Sequence, residues 1–190
     1  MRIALLGAPG AGKSSLAAQV FVALREEGVA IELVSEFARE YIAETGGIGS
    51  AAEQVFLARE QRRREETLAK AKGVVVLSDS PFLINHCYAG LLASRHGRRQ
   101  LGKSSLMLEV LYKEYLQALA DYDLVFFVER ARSGAHADGI RIHTASESKN
   151  VERLMLAFLD IHGGPDHLIQ GDWDYPKRAS FITQKIREAL

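Results

Sequence analysis

The densest chemical signal lies near the start of the chain. Gly7-Ala8-Pro9-Gly10-Ala11-Gly12-Lys13-Ser14 has the spacing G-x-x-x-x-G-K-S/T of a phosphate-binding loop. Glycines let the backbone curl until successive N–H groups point into one anion-sized nest. A helix starting at this point adds its positive N-terminal end. A lysine at the position of Lys13 reaches the β- and γ-phosphates of ATP, and a hydroxyl at Ser14 ligates Mg²⁺. Gly7, Pro9, Gly10, Ala11, Gly12, Lys13, Ser14 and Ser15 are therefore the candidate nucleotide contacts. Such a loop binds a nucleoside triphosphate without choosing a reaction.

Two carboxylates and a set of arginines supply the rest of the candidate chemistry. Glu36 and Asp79 each follow a short apolar run that reads as a strand. A carboxylate there accepts a hydroxyl proton or anchors Mg²⁺; the competing role is capping of the next helix, since strand-to-helix turns favour such residues. Asp79 joins Ser14 as a candidate metal ligand. Residues 129–147 are poor in apolar side chains and carry Arg130, Arg132 and Arg141, the makings of a lid. Arginine suits a migrating phosphoryl group because its planar, permanent charge donates two parallel hydrogen bonds. Arg141 is the foremost lid candidate, and a solvated surface loop is the alternative.

The elements that must position these groups follow from apolar patterning. Residues 2–6, 30–34, 73–78, 124–128 and 167–169 read as strands; 73–78 is apolar on both faces, as a central parallel strand is. Helices are expected near 14–26, 36–45 with Ser35 as cap, 50–72, 81–93, 104–120 and 149–162. A final helix has Pro176 in its first turn and Asp174 as cap. Within 50–72, Val55, Leu57 and Leu68 face inward and the run Arg62-Arg63-Arg64-Glu65-Glu66 faces outward. Strands alternating with helices give an α/β fold with a mainly parallel sheet. In such sheets the ligand crevice lies outside the carboxyl ends of the strands, so the loop, Glu36 and Asp79 should converge.

Bulk properties bound the function. The 190 residues are 47% apolar and 25% charged, with zero formal net charge, which fits one soluble domain over residues 1–190. Zero net charge gives no global attraction to nucleic acid or anionic membrane. A single cysteine, Cys87, excludes an intramolecular disulfide and points to a reducing, cytoplasmic setting. No signal peptide and no run of membrane-spanning length is expected. An Asn-Lys-x-Asp guanine-reading motif is missing, and Asp160-Ile161-His162-Gly163 comes too late in the chain for a GTPase switch. An AAA+ motor would need a strand ending in Asp-Glu and a further helical lid domain, where this chain has Ser78-Asp79-Ser80. No histidines cluster at metal-ligand spacing.

Taken together, the motifs resemble the P-loop nucleoside and nucleotide kinases, and within them the kinase domain of bacterial nicotinamide riboside kinases and their relatives. Four segments carry the resemblance. They are the loop 7–14; Ser35-Glu36-Phe37-Ala38-Arg39-Glu40-Tyr41; Ser78-Asp79-Ser80 with Tyr88-Ala89; and Asp138-Gly139-Ile140-Arg141 followed by Gly171-Asp172-Trp173. The resemblance implies a P-loop NTPase fold of the nucleotide-kinase type with an Arg-bearing lid, ATP with Mg²⁺, and phosphorylation of a hydroxyl on a small nucleoside or nucleotide. It implies that Glu36 or Asp79 meets the acceptor, that Arg141 lies in the lid, and that Asp172 and Trp173 lie near adenine. Members often read Asp-Thr-Asp where this chain has Ser78-Asp79-Ser80, so one acidic group is missing, which weighs against nicotinamide riboside itself. No nucleotidyl-transferase domain is expected beside the kinase domain.

Two features bear on the acceptor. Arg95-His96-Gly97-Arg98-Arg99 with Lys103 forms a basic cluster that would hold an acceptor phosphate or a DNA or RNA backbone, or else is a solvated turn. Phe37, Tyr41, Phe82 and Tyr88 could stack on a base, although core packing is the favoured expectation for each. A kinase of a hydroxyl in DNA or RNA, and a P-loop ATPase or nucleotide-binding regulator, remain the alternatives to a small-molecule kinase.

Overall fold

A computed structural model describes residues 1–95, 101–131 and 144–190. Five strands, β1 (Arg2–Leu6), β2 (Ile31–Val34), β3 (Val75–Asp79), β4 (Leu124–Val128) and β5 (His167–Ile169), form one sheet. Among the described residues the helices are α1 (Lys13–Glu26), α2 (Phe37–Thr45), α3 (Ala51–Ala69), α4 (Asn85–Arg95), α5 (Leu101–Leu119), α6 (Ala145–Ile161) and α7 (Tyr175–Ala189). A 3-10 turn, Phe82–Ile84, precedes α4. The strand order is β2-β3-β1-β4-β5 and every pairing is parallel. β1 is central, with Leu5 paired to Asp79 on one side and to Phe126 on the other.

Alternation along β1 divides the apolar core. Ile3 and Leu5 pack with Leu16, Val20, Leu24, Ile182 and Ile186 of α1 and α7 on one face. Ala4 and Leu6 pack with Val55, Ala58, Leu83, Tyr115 and Met155 on the other. Both faces of the sheet are covered, which is why its strands read as continuous apolar runs.

Several helix ends follow the sequence closely. Ser50 accepts from the Glu53 N–H at 3.2 Å, and Asp174 accepts from the Lys177 N–H at 2.8 Å. Thr144 and Glu147 form a reciprocal capping box, so α6 begins inside the stretch expected to be lid, and 145–147 are its first turn. The stretch expected as one helix from 81 is a 3-10 turn followed by α4, and α5 starts at Leu101, which takes Lys103 into a helix. Glu36, not Ser35, occupies the N-cap of α2. Glu65, expected outside, is 1% exposed. Arg132, Arg141, Arg98, Arg99 and the stretch Asp138-Gly139-Ile140 lie outside the described residues. Among the described residues, no helix is long and apolar enough to cross a membrane.

The segment after β5 is pressed against the end of β4. The Gly171 N–H donates to the Glu129 carboxylate at 2.9 Å, and a Cβ on Gly171 would overlap the carbonyl oxygen of Arg130. Overpacking against backbone costs about 1–3 kcal/mol. Gly171→Ala should therefore lower the thermal midpoint by several degrees. Gly47→Ala, where an added Cβ meets nothing within 4 Å, should leave it nearly unchanged. Thermal unfolding followed by circular dichroism checks both.

Candidate active site

β1 delivers the chain into the loop, and α1 starts immediately after it. Lys13 is buried, and its ammonium donates to the Gly7 carbonyl at 2.8 Å and to the Ala8 carbonyl at 3.4 Å. Ser14 and Ser15 are exposed on the first turn of α1. Gly12 caps that helix at φ +86°, a conformation that disfavours a side chain. A Cβ there would also strike the Tyr175 ring. Behind the loop, Arg178 of α7 is fully buried and donates to the carbonyls of Trp173 at 2.9 Å, Glu129 at 3.3 Å and Ala11 at 3.5 Å. It ties the loop to the segment after β5; nothing in the local sequence marks it.

Asp79 ends β3 directly beside β1 and is 4% exposed. The next residue, Ser80, has φ 62°, rare for a residue other than glycine and a mark of a constrained turn. Its N–H donates to the Leu5 carbonyl at 3.2 Å, fastening the turn to the loop's own strand. Its hydroxyl donates to Asp79 at 3.5 Å.

Glu36 follows β2, one strand further out. It occupies the N-cap of α2 but makes no capping hydrogen bond with its side chain. The carboxylate is spared for the cleft, with Arg39 Nε at 3.9 Å. Burial pushes its carboxyl above the ordinary value; Lys13 opposes this, Asp79 adds to the rise, and Arg39 and the Ser80 hydroxyl oppose it. Lys13, Glu36 and Asp79 therefore share one electrostatic environment, as three parallel strand ends require. Burial also pushes the Tyr88 phenol well up, with the Glu36 charge acting in the same direction.

The aromatic side chains divide. Phe82 is core at 4% exposure, and Tyr88 is half-buried against the same core. Phe37 and Tyr41 are not core. They form a half-buried cluster with Phe56, with ring centroids 5.9–6.4 Å apart, and Arg64 lies 4.3 Å above Phe37. Trp173 is half-buried; it meets Phe181 edge-on at 5.3 Å, with the Lys177 ammonium 4.4 Å from its ring centroid. Asp172 is exposed. Arg130 sits at the end of β4, its N–H donating to Glu152 at 2.9 Å.

Buried polar groups that sequence reasoning missed lie close by. Asn85 donates to Gln54 at 2.8 Å. Gln61 accepts from the Phe37 N–H at 2.9 Å and donates to the Ser78 hydroxyl at 3.4 Å. Ser78 and Tyr122 both donate to Glu65. The available signal was spacing: Ala51, Val55, Ala58, Gln61 and Glu65 recur every three or four residues along α3, one buried stripe whose later members are polar.

The donor set fits a magnesium–nucleotide. A helix N-terminus beneath a glycine loop suits phosphate, and an exposed serine hydroxyl and a carboxylate are the hard oxygen ligands that Mg²⁺ takes alongside phosphate oxygens and water. Among the described residues there is no group of three histidine, cysteine or acidic side chains that would hold a metal by itself.

Comparison with known proteins agrees with this architecture. A family model described as an AAA domain matches residues 2–175, and the chain belongs to that family. Its fold is also found in solved kinase structures. The structure of a NadR protein in complex with NR superimposes with a TM-score of 0.71 at 16% identity, covering 98% of this chain and 50% of that one. The chain thus spans half the length of that relative. A deoxyadenosine kinase from M. mycoides with bound dATP superimposes with a TM-score of 0.63 at 13% identity, covering 98% of this chain and all of that one. At these identities the likeness is one of fold. No curated protein matches the sequence. Family membership does not supply the Asp-Glu strand end of an AAA+ motor, since β3 closes on Ser78-Asp79-Ser80.

A carboxyl whose folded pKa lies above its unfolded one takes up a proton on folding between those two values. Ionised Glu36 therefore opposes folding at neutral pH, and the penalty fades as pH falls through the raised pKa. Glu36→Gln should raise the thermal midpoint at about pH 7, and the gain should shrink toward about pH 4, near the unperturbed glutamate value. Melting curves across that range check the sign.

Proposed function

We propose that the chain is a Mg-ATP-dependent kinase that transfers the γ-phosphate to a hydroxyl of a small nucleoside or nucleotide. The observation that carries this reading is the convergence of Lys13, Asp79 and Glu36 at the ends of three adjacent parallel strands. The loop N–H groups and Lys13 hold the phosphates. Asp79, beside the loop's own strand, works with Ser14 at the metal, which when bound would neutralise charge on the β- and γ-oxygens. Glu36, farther out and with a raised pKa, accepts the acceptor's hydroxyl proton, a task favoured when the base's pKa approaches working pH. Arg130, with Arg141 in the segment 132–143, neutralises the migrating phosphoryl group. Asp172 and Trp173 flank the purine. Residues 1–190 act as one domain, and the buried thiol of Cys87, pushed up to about 12 by burial, suits a cytoplasmic setting in which it is chemically inert. A nucleoside-like acceptor is supported by the fold shared with the NR-bound NadR protein and the deoxyadenosine kinase.

The test is an acceptor screen with γ-labelled ATP and Mg²⁺. It covers free nucleosides, nucleoside monophosphates, nicotinamide riboside, and plain or hydroxymethylated DNA. Label on one small molecule identifies the acceptor. Label on DNA alone transfers the reading to a polynucleotide kinase, and rapid release of phosphate with no acceptor makes the protein an ATPase. Lys13→Ala should abolish transfer in a folded protein; the kinase reading is falsified if its kcat is unchanged.

The two carboxylates separate kinetically. Glu36→Gln should lower kcat by about 10²–10⁴-fold, the range for loss of a general base, with KM for ATP nearly unchanged. Asp79→Asn should lower kcat and also shift the Mg²⁺ concentration needed for half-maximal rate. Steady-state kinetics with Mg²⁺ titration distinguishes them, and a Mg²⁺ shift in Glu36→Gln would reverse the assignment.

A further inference from the structure

Gln61 touches neither the loop nor the cleft carboxylates, yet it joins the two turns that carry those carboxylates. Its side chain is 3% exposed on α3. The Oε1 accepts from the N–H of Phe37, the residue after Glu36, at 2.9 Å. The Nε2 donates to the hydroxyl of Ser78, the residue before Asp79, at 3.4 Å. A backbone N–H only donates, so the amide's orientation is fixed at one end. The order then runs onward: Ser78 accepts from Gln61 and donates to Glu65, whose other oxygen accepts from Tyr122. Gln61 also interacts with the Glu65 carboxyl through its side chain.

The first turn of a helix leaves N–H groups that the N-cap side chain ordinarily satisfies. Glu36 holds that position in α2 and does not cap. The geometry points to Gln61 as a positioning residue: by accepting from the first N–H of α2 and gripping Ser78, it fixes the turn that bears Glu36 against the turn that bears Asp79 for phosphoryl transfer. The inference rests on the kinase reading above. α2 contributes no buried residue; Phe37, Glu40 and Tyr41 hold it to α3 through Phe56, Arg64 and Glu53, and Gln61 is the contact that also reaches β3.

Two substitutions test this. Gln61→Ala removes both ends of the bridge. Gln61→Glu keeps size and the acceptor for Phe37 but replaces the amide donor with a group that donates only when protonated. The charged and titratable groups around this network are Glu65 on α3 itself, Tyr122 ahead of β4, Arg2 of β1 and Arg62 of α3, with Arg64 over the Phe37 ring and Glu36 and Asp79 adjoining the two bridged residues. Burial pushes the Glu65 carboxyl up, and a second carboxyl next to it would be pushed up as well. Protonated at low pH, Gln61→Glu can restore the bridge; ionised at high pH, it faces Ser78 with no hydrogen to give.

The readouts are transfer from γ-labelled Mg-ATP to the acceptor panel and amide exchange at Phe37, with Lys13→Ala alongside. The expected result for Gln61→Ala is faster exchange at Phe37 and a kcat lowered about 10–100-fold, with KM for ATP within about twofold. Gln61→Glu should approach wild-type kcat at low pH and lose ground as pH rises. Unchanged exchange at Phe37 overturns the inference whatever reaction the protein performs. So does a wild-type kcat in Gln61→Ala, or a loss in Gln61→Glu that ignores pH, in an enzyme that Lys13→Ala inactivates. If Lys13→Ala is itself as active as wild type, the kinase reading has failed, and with it the catalytic purpose assigned to Gln61.

Discussion

The parallel pairing of β1 with β3 on one side and β4 on the other is the constraint on which the site depends. Parallel strands point the same way, so whatever follows them emerges at one edge of the sheet. The register sets Asp79 opposite Leu5, two residues before the glycine loop begins. β2 pairs with β3 in turn, Val34 against Ser78, which brings Glu36 to the same edge. Three chemically active groups separated by up to 66 residues thus meet because backbone hydrogen bonds leave them no other place. The apolar packing on both faces of the sheet holds that alignment, since a one-residue slip would carry every inward side chain to the opposite layer.

Given this alignment, the chemistry lies in how charge is compensated. Lys13 is buried, and its hydrogen bonds run to neutral carbonyls of its own loop. Those are weaker partners for an ammonium than an anion would be. Glu36 and Asp79 raise the negative potential nearby, and Asp79 contributes to the upward push on Glu36. A site holding one cation that favours an anionic ligand, next to two carboxylates that favour a divalent cation, is complementary to phosphate and magnesium arriving together more than to either alone.

Much of this was legible in the sequence, and what was not has a common cause. The loop was readable because its glycines and lysine act through local backbone geometry. The strands were readable because they are apolar on both faces, and the cap at Asp174 because capping is a contact over three residues. Glu65 and Gln61 were misplaced or missed because their partners, Ser78, Tyr122 and the Phe37 N–H, come from elements 13 to 57 residues away. A charged run on a helix reads as solvated unless the position within the buried stripe is weighed above residue type. Glu36 could be placed at the cleft but not separated from a capping role, because the sequence does not show which way its side chain turns. Phe37 and Tyr41, taken for core, belong instead to an outer cluster around Phe56, since α2 lies against α3 and not on the sheet.

The same dependence explains why a buried polar stripe is worth keeping. Replacing Gln61 and Glu65 with apolar residues would remove an expensive desolvation, and such exchanges are often neutral or stabilising when the volume is kept. Here it would also leave the Phe37 N–H and the Ser78 hydroxyl without the partners they now have. The α3 network therefore does more than satisfy buried groups: it ties the turn that bears Glu36 to the turn that bears Asp79.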